Sequence, residues 1–146
     1  NPYRGCEHGC IYCYARPSHS YHELSPGLDF ETKLFVKRDA AGTLLKEISK
    51  PRYKCETIVL GTNTDCYQPI ERDHRVTRGL LETLSDCQHP VSIVTKSQLV
   101  TRDIDILRPM AEKNLANIFI SITTLDRELA RKMEPRATAP KKRLQN

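Results

Sequence analysis

Residues 6–13 read Cys-Glu-His-Gly-Cys-Ile-Tyr-Cys, placing three thiols at spacings of four and three on one short, glycine-containing loop. Thiolates are soft ligands, and three on one loop can grip one face of a metal ion or an iron–sulfur cluster. Disulfides are the poorer use, because neighbours so close would close only tiny rings. A reducing compartment is therefore expected, and with it a cytoplasmic location. Two metal readings stay open. A structural zinc site would draw a fourth ligand from His8, His19, His22, Cys55, Cys66 or Cys87, but zinc prefers two separated ligand pairs, which this loop is not. The spacing favours the iron–sulfur cluster. Cys55, Cys66 and Cys87 show no mutual spacing of interest and are expected as buried free thiols, with Cys66 alone near a strand end and able to face the pocket.

Such a loop needs a scaffold, and the rest of the chain supplies a repeating pattern. Three β-rich runs, 56–61 (ETIVLG), 91–95 (VSIVT) and 117–123 (NIFISIT), are apolar on both faces, as buried parallel strands are. Between the first two, residues 71–86 carry Val76, Leu80, Leu81 and Leu84 at helical spacing. Between the second and third, residues 103–114 place Ile104, Leu107 and Met110 on one face, with Pro109 marking a kink or late start. Residues 41–50 read as a helix through Leu44, Leu45 and Ile48, and 126–133 as a short helix capped by Asp126. Segments 16–30 and 135–146 read as loops. Strand–helix alternation of this kind implies right-handed crossovers and an α/β fold with a parallel sheet or barrel inside its helices. A complete eight-fold barrel needs about 250 residues, so 146 hold only part of one.

Composition removes other classes. With 38% hydrophobic and 28% charged residues the chain is neither disordered nor fibrous. No apolar run approaches the roughly 18 residues of a membrane span, so no membrane partner is expected. The net charge of +5 is local: residues 131–146 hold six basic residues and one acid, while residues 1–130 hold seventeen of each sign. Lys141, Lys142 and Arg143 suit phosphates, yet no aromatic residue stands among them to stack bases. The chain opens Asn1-Pro2-Tyr3 without an initiator Met, and is expected to be an excerpt of a longer protein.

Cys-x-x-x-Cys-x-aromatic-Cys, as Cys6, Cys10, Tyr12 and Cys13, is the signature of the radical S-adenosylmethionine (SAM) superfamily, which the chain resembles. NPYRGCEHGCIYCYARPSH followed by SPGLDFETKLFVK resembles the branch related to spore photoproduct lyase. GTNTDCYQPIE, TKSQLVTRDIDIL, SITTLD and EPRATAPKKRL then arrive in family order. Cys66 departs from the small residue or proline expected after Asp65. The resemblance implies a partial parallel (βα)6-type TIM-like barrel, truncated at both ends, with its first strand ahead of Asn1 and its last two beyond Asn146. The cluster loop is then 1–16, the βα units about 40–133, and the basic tail 134–146.

The resemblance further implies that Cys6, Cys10 and Cys13 hold a [4Fe-4S] cluster whose fourth iron is chelated by SAM. Reductive cleavage of SAM to a 5′-deoxyadenosyl radical would serve hydrogen abstraction from an unidentified substrate. Ligands of such folds gather at the C-terminal ends of strands. By similarity, Thr64 and Asp65 are expected at the SAM amino group, Lys96 at its carboxylate, Ser121 or Thr123 at the ribose and Tyr12 beside the adenine, with Arg136 at SAM or substrate. Bland alternatives accompany these: a solvated turn capped by Asn63 and Asp65, a solvated Lys96, hydroxyls bonded to nearby backbone, and a surface Arg136. The implied electron donor is a ferredoxin or flavodoxin. A narrower version is a DNA photoproduct repair lyase, with nucleic acid as substrate. The alternative of another class is a non-catalytic zinc- or nucleic-acid-binding module.

Overall fold

Strand and helix alternate to give a three-stranded parallel sheet in a computed structural model that describes residues 1–145; Asn146, the end of the expected basic tail, lies outside the described residues. In chain order the elements are β1 (Tyr3–Arg4), α1 (Asp29–Thr32), β2 (Phe35–Val36), α2 (Ala40–Ile48), β3 (Ile58–Leu60), α3 (Glu71–His74), α4 (Val76–Asp86), β4 (Val91–Thr95), α5 (Ile104–Glu112), β5 (Ala116–Ile120), α6 (Arg127–Met133) and α7 (Pro140–Arg143). Tight 3-10 turns run over Arg16–His22 and Gln98–Asp103. The parallel sheet has the order β3-β4-β5, with Leu60 opposite Ile93 and Thr95 opposite Ile120. A two-residue antiparallel pair of β1 with β2 ties the start of the chain to the segment after α1. The fold is α/β, as expected, and among the described residues the sheet is open rather than closed into a barrel.

The core gathers on one face of that sheet. Leu60, Val91 and Ile93 pack against Leu81 and Leu84 of α4 and Leu107 and Met110 of α5, with Cys66 and Tyr67 sealed among them. Side chains alternate across a strand, so Val59 and Phe119 point to the other face, where they are 46% and 57% exposed. Burial of all three strands on both faces is therefore not observed. Among the described residues one helical layer covers a single face, and the outer strands have one neighbour each.

Several local expectations are corrected. The helix expected over 71–86 is two helices, broken at Arg75, whose φ is 49°. Its cause is Glu71, whose buried carboxylate accepts the Thr77 and Arg78 amides at 2.9 and 3.3 Å and so caps α4 from the preceding turn. The apolar stripe of α4 is buried as expected. In α5, Pro109 sits inside the helix; Leu107 and Met110 are buried, but Ile104, in the first turn, is exposed. Leu45 of α2 is exposed while Leu44 packs on the core. Asp126 caps α6, accepting the Glu128 and Leu129 amides at 2.8 and 3.0 Å. The segments expected as loops contain the Arg16–His22 turn, the start of α1 and all of α7. Cys55 and Cys87 are exposed, leaving Cys66 the buried one of those three. β5 stops at Ile120, so Ser121 and Thr123 lie beyond strand alternation. Among the described residues no helix is long and apolar enough to cross a membrane.

Candidate functional site

The cysteine loop packs across the C-terminal ends of β3 and β4 and encloses with them a cavity of about 120 Å³. Cys6, Cys10 and Cys13 line it together with His8, Tyr12, Asp65 and Lys96. Hydrogen bonds to distant segments fix the loop. The Cys6 amide donates to Phe30 O at 2.9 Å, the Glu7 amide to Gln68 Oε1 at 2.9 Å, and Gln68 Nε2 returns a bond to Gly5 O at 3.0 Å. On the other side, Ile11 N donates to Met133 O at 3.0 Å, and Arg16 Nε to Cys10 O at 3.1 Å. Gly61 lets β3 end here: its φ is +85°, and a Cβ would lie 1.9 Å from Val94 O of the neighbouring strand.

Burial controls the chemistry of Cys6 and Cys10. It pushes Cys6 up to about 12, helped by the nearby Asp65 carboxylate, and lifts Cys10 above the ordinary thiol range despite Lys96. Thiols so placed ionise only against strong local positive charge, which an iron or zinc ion supplies. The donor set, three sulfurs facing one small cavity, thus fits a metal cluster. Among the described residues no group of three or more His, Cys, Asp or Glu side chains converges as on a single metal ion.

Asp65 is the polar centre of the wall. Its Oδ1 accepts from Thr95 Oγ1 at 2.7 Å and from the Tyr67 amide at 2.8 Å. Its Oδ2 accepts from the Lys96 amide at 2.7 Å and lies 3.3 Å from His8 Nδ1. Burial pulls the Asp65 carboxyl upward, but His8, the Lys96 amide and Thr95 outweigh it and hold it below the usual range. Thr64 is buried beside it and donates to Tyr3 O at 2.8 Å, outside the cavity lining. The Lys96 side chain reaches the cavity and, among the described residues, forms no ion pair.

The remaining expected residues lie around the rim. The Tyr12 and Thr123 hydroxyls are 3.0 Å apart, and both donate to Glu134 Oε1, Thr123 at 2.6 Å. Ser121 presents backbone, its amide donating to Thr95 O and its carbonyl accepting from Arg143. Arg136 grips the loop from behind through Glu7 O and Glu31, and its guanidinium occupies the space a Cβ on Gly9 would need. The cavity therefore unites Cys6, Cys10, Cys13, Tyr12, Asp65 and Lys96, and leaves Thr64, Ser121, Thr123 and Arg136 outside its lining. Sequence reasoning weighed His8 only as a zinc ligand rather than as the Asp65 partner, and it missed the roles of Glu134 and Arg143. Glu134 opens the quoted EPRATAPKKRL motif but drew no role there, and its buried arginine partner was counted as tail charge. That reading is corrected: Arg143 is inside, 2.6 Å from Glu134, with both side chains 1% exposed.

A family model described as the radical SAM superfamily matches residues 1–146. An uncharacterized protein of Mycobacterium tuberculosis is 39% identical over 144 residues, which are 99% of this chain and 42% of the relative. Uncharacterized proteins of Methanocaldococcus jannaschii and of Acidianus two-tailed virus are each 28% identical, over 99% and 97% of this chain and 51% and 47% of their own lengths. The chain thus spans about half the length of these curated relatives. No solved structure matches it significantly.

Proposed function

The chain belongs to the radical SAM superfamily, and from that premise we propose that Cys6, Cys10 and Cys13 hold a [4Fe-4S] cluster in a cavity that also receives SAM. When bound, cluster and SAM supply reductive cleavage of the sulfonium to a 5′-deoxyadenosyl radical, which abstracts hydrogen from a substrate carbon. The protein's own residues bind, orient and exclude water. Lys96 meets the SAM carboxylate, Asp65 with Thr64 behind it faces the amino group, Tyr12 borders the adenine, and Ser121 or Thr123 the ribose. Arg136 holds the loop from outside the cavity, so its part is support of the cluster ligands. Because Asp65 uses its oxygens on the Thr95 hydroxyl and the Lys96 amide, it also orients the turn that carries Lys96.

The observation that carries this reading is that three thiols and a lysine, which forms no ion pair among the described residues, share one small cavity. The open sheet face bearing Val59, Val94 and Phe119 is the face that a partial (βα)6 barrel turns inward, and closure of such a barrel belongs to the proposal, as does delivery of the electron by a ferredoxin or flavodoxin. A DNA photoproduct lyase is the narrower form, supported by motif order alone. Anaerobic reconstitution tests the core claim. The expected product holds about four irons and four sulfides per chain, shows a SAM-dependent change in the paramagnetic spectrum of its reduced state, and is lost in Cys10→Ala. Stoichiometric zinc with no iron uptake would overturn it.

A further inference from the structure

Glu134 and Arg143 belong to none of the cluster or SAM contacts proposed above, yet their buried pair touches three of the residues proposed there. Glu134 Oε1 receives both the Tyr12 and the Thr123 hydroxyls, and Oε2 receives Arg143 at 2.6 Å. Arg143 is itself tethered, donating from Nη1 to Ser121 O at 2.9 Å and from Nε to Thr138 O at 2.5 Å. The carboxylate therefore cannot swing, because each oxygen has an anchored partner. Met133, the residue before Glu134, accepts from the Ile11 amide, so one short segment binds the cysteine loop through both backbone and side chain.

Tyr12 lies between Cys10 and Cys13. Its rigid ring has only two rotatable bonds, so a fixed hydroxyl fixes the backbone that carries those two thiols. We infer that Glu134, held by Arg143, is a positioning residue of the cofactor site, setting residues 10–13 of the cysteine loop against the end of β5. This rests on the cavity being the cluster and SAM site. A surface tyrosine needs no buried ion pair behind it. Burying one carries a large desolvation penalty, and a unique position for the loop is one return that offsets it.

The six thiols provide the test. In the metal-free chain, site-resolved alkylation followed by mass spectrometry reports Cys10 and Cys13 directly. Exposed Cys55 and Cys87 serve as fast references, and sealed Cys66 reports global opening. Glu134→Ala is expected to speed labelling of Cys10 and Cys13 on the order of tenfold through local opening, with Cys66 still protected. Tyr12→Phe, which leaves the ion pair intact, is expected to do the same and decides the matter if Glu134→Ala unfolds. Unchanged Cys10 and Cys13 rates in Tyr12→Phe, or rates that rise only in step with Cys66, overturn the positioning role. In the reconstituted protein, Tyr12→Phe should keep its iron and bind SAM several-fold more weakly; unchanged SAM affinity overturns the role as well. The alkylation result needs no cluster, so a chain that takes only zinc would sink the proposed function, while the hold of Glu134 on residues 10–13 is still decided by the labelling rates.

Discussion

Tyr3 precedes the three cysteines and Tyr12 stands between the last two, and each donates its hydroxyl to a carboxylate that also holds an arginine. The two hubs differ in depth. Tyr3 is 1% exposed, and its partner Glu71 also takes Arg102 at 2.7 Å and caps α4. Arg102 and Arg78 both reach Asp103, which accepts the Tyr67 hydroxyl at 2.9 Å, so the Glu71 hub is continuous with the helical layer. Tyr12 is 45% exposed, and among the described residues its hub joins only the cysteine loop, the end of β5 and residues 134–143. Burial, followed by the neighbouring carboxylate, pushes both phenols above the ordinary range. One hub is a foundation of the fold; the other adjusts a loop.

The comparison can be broken most severely at Glu71. Replacing it with Ala strands Arg102, Tyr3 and the α4 amides together, and should cost about 3–5 kcal/mol in denaturant unfolding. A loss under 1 kcal/mol would remove the distinction between the hubs. Next come the paired hydroxyl deletions. Tyr3→Phe leaves a buried carboxylate short of a donor and should cost about 1–3 kcal/mol, whereas Tyr12→Phe, with water at hand, should cost about 0.5–1 kcal/mol. Equal losses would contradict the difference in depth.

The smallest effect is in acid. Burial raises the Glu134 carboxyl, but Thr123, Tyr12 and Arg143 together hold it below its ordinary value of 4.5. A depressed carboxylate stabilises the native state above that value, and the contribution fades as pH falls through the native one. Melting temperatures of the wild type and Glu134→Gln should therefore differ at pH 7 and converge as pH drops below about 4.5. A gap that persists unchanged to pH 2 would rule out the charged form of Glu134 as its source.

What the sequence disclosed was local. The cysteine loop, the whole of β4 and the Asp126 cap each depend on neighbours within a few positions, and each stands where the pattern placed it. The break at Arg75 was hidden because it depends on Glu71 meeting Tyr3 and Arg102, contacts spanning 68 and 31 residues. Arg143 misled for another reason: charge counting places an arginine in water, whereas Glu134, Thr138 O and Ser121 O bring it inside. The apolar runs gave strands but not their coverage, since two-faced hydrophobicity looks identical whether one face or both are packed. Asp65 was legible as a strand-end carboxylate, but not its prior engagement by Thr95, Tyr67, Lys96 and His8.

The span of the Tyr12–Glu134 bond, 122 residues, also orders events in time. A ribosome adding about 5–20 residues per second needs on the order of ten seconds to travel from the cysteine loop to Arg143. Throughout that interval the nascent thiols emerge without their latch, open to oxidants and stray metals. On the proposed function, machinery that supplies iron and sulfide would meet a finished cradle only once residues 134–143 have left the ribosome, so the cradle is completed long after the thiols it holds.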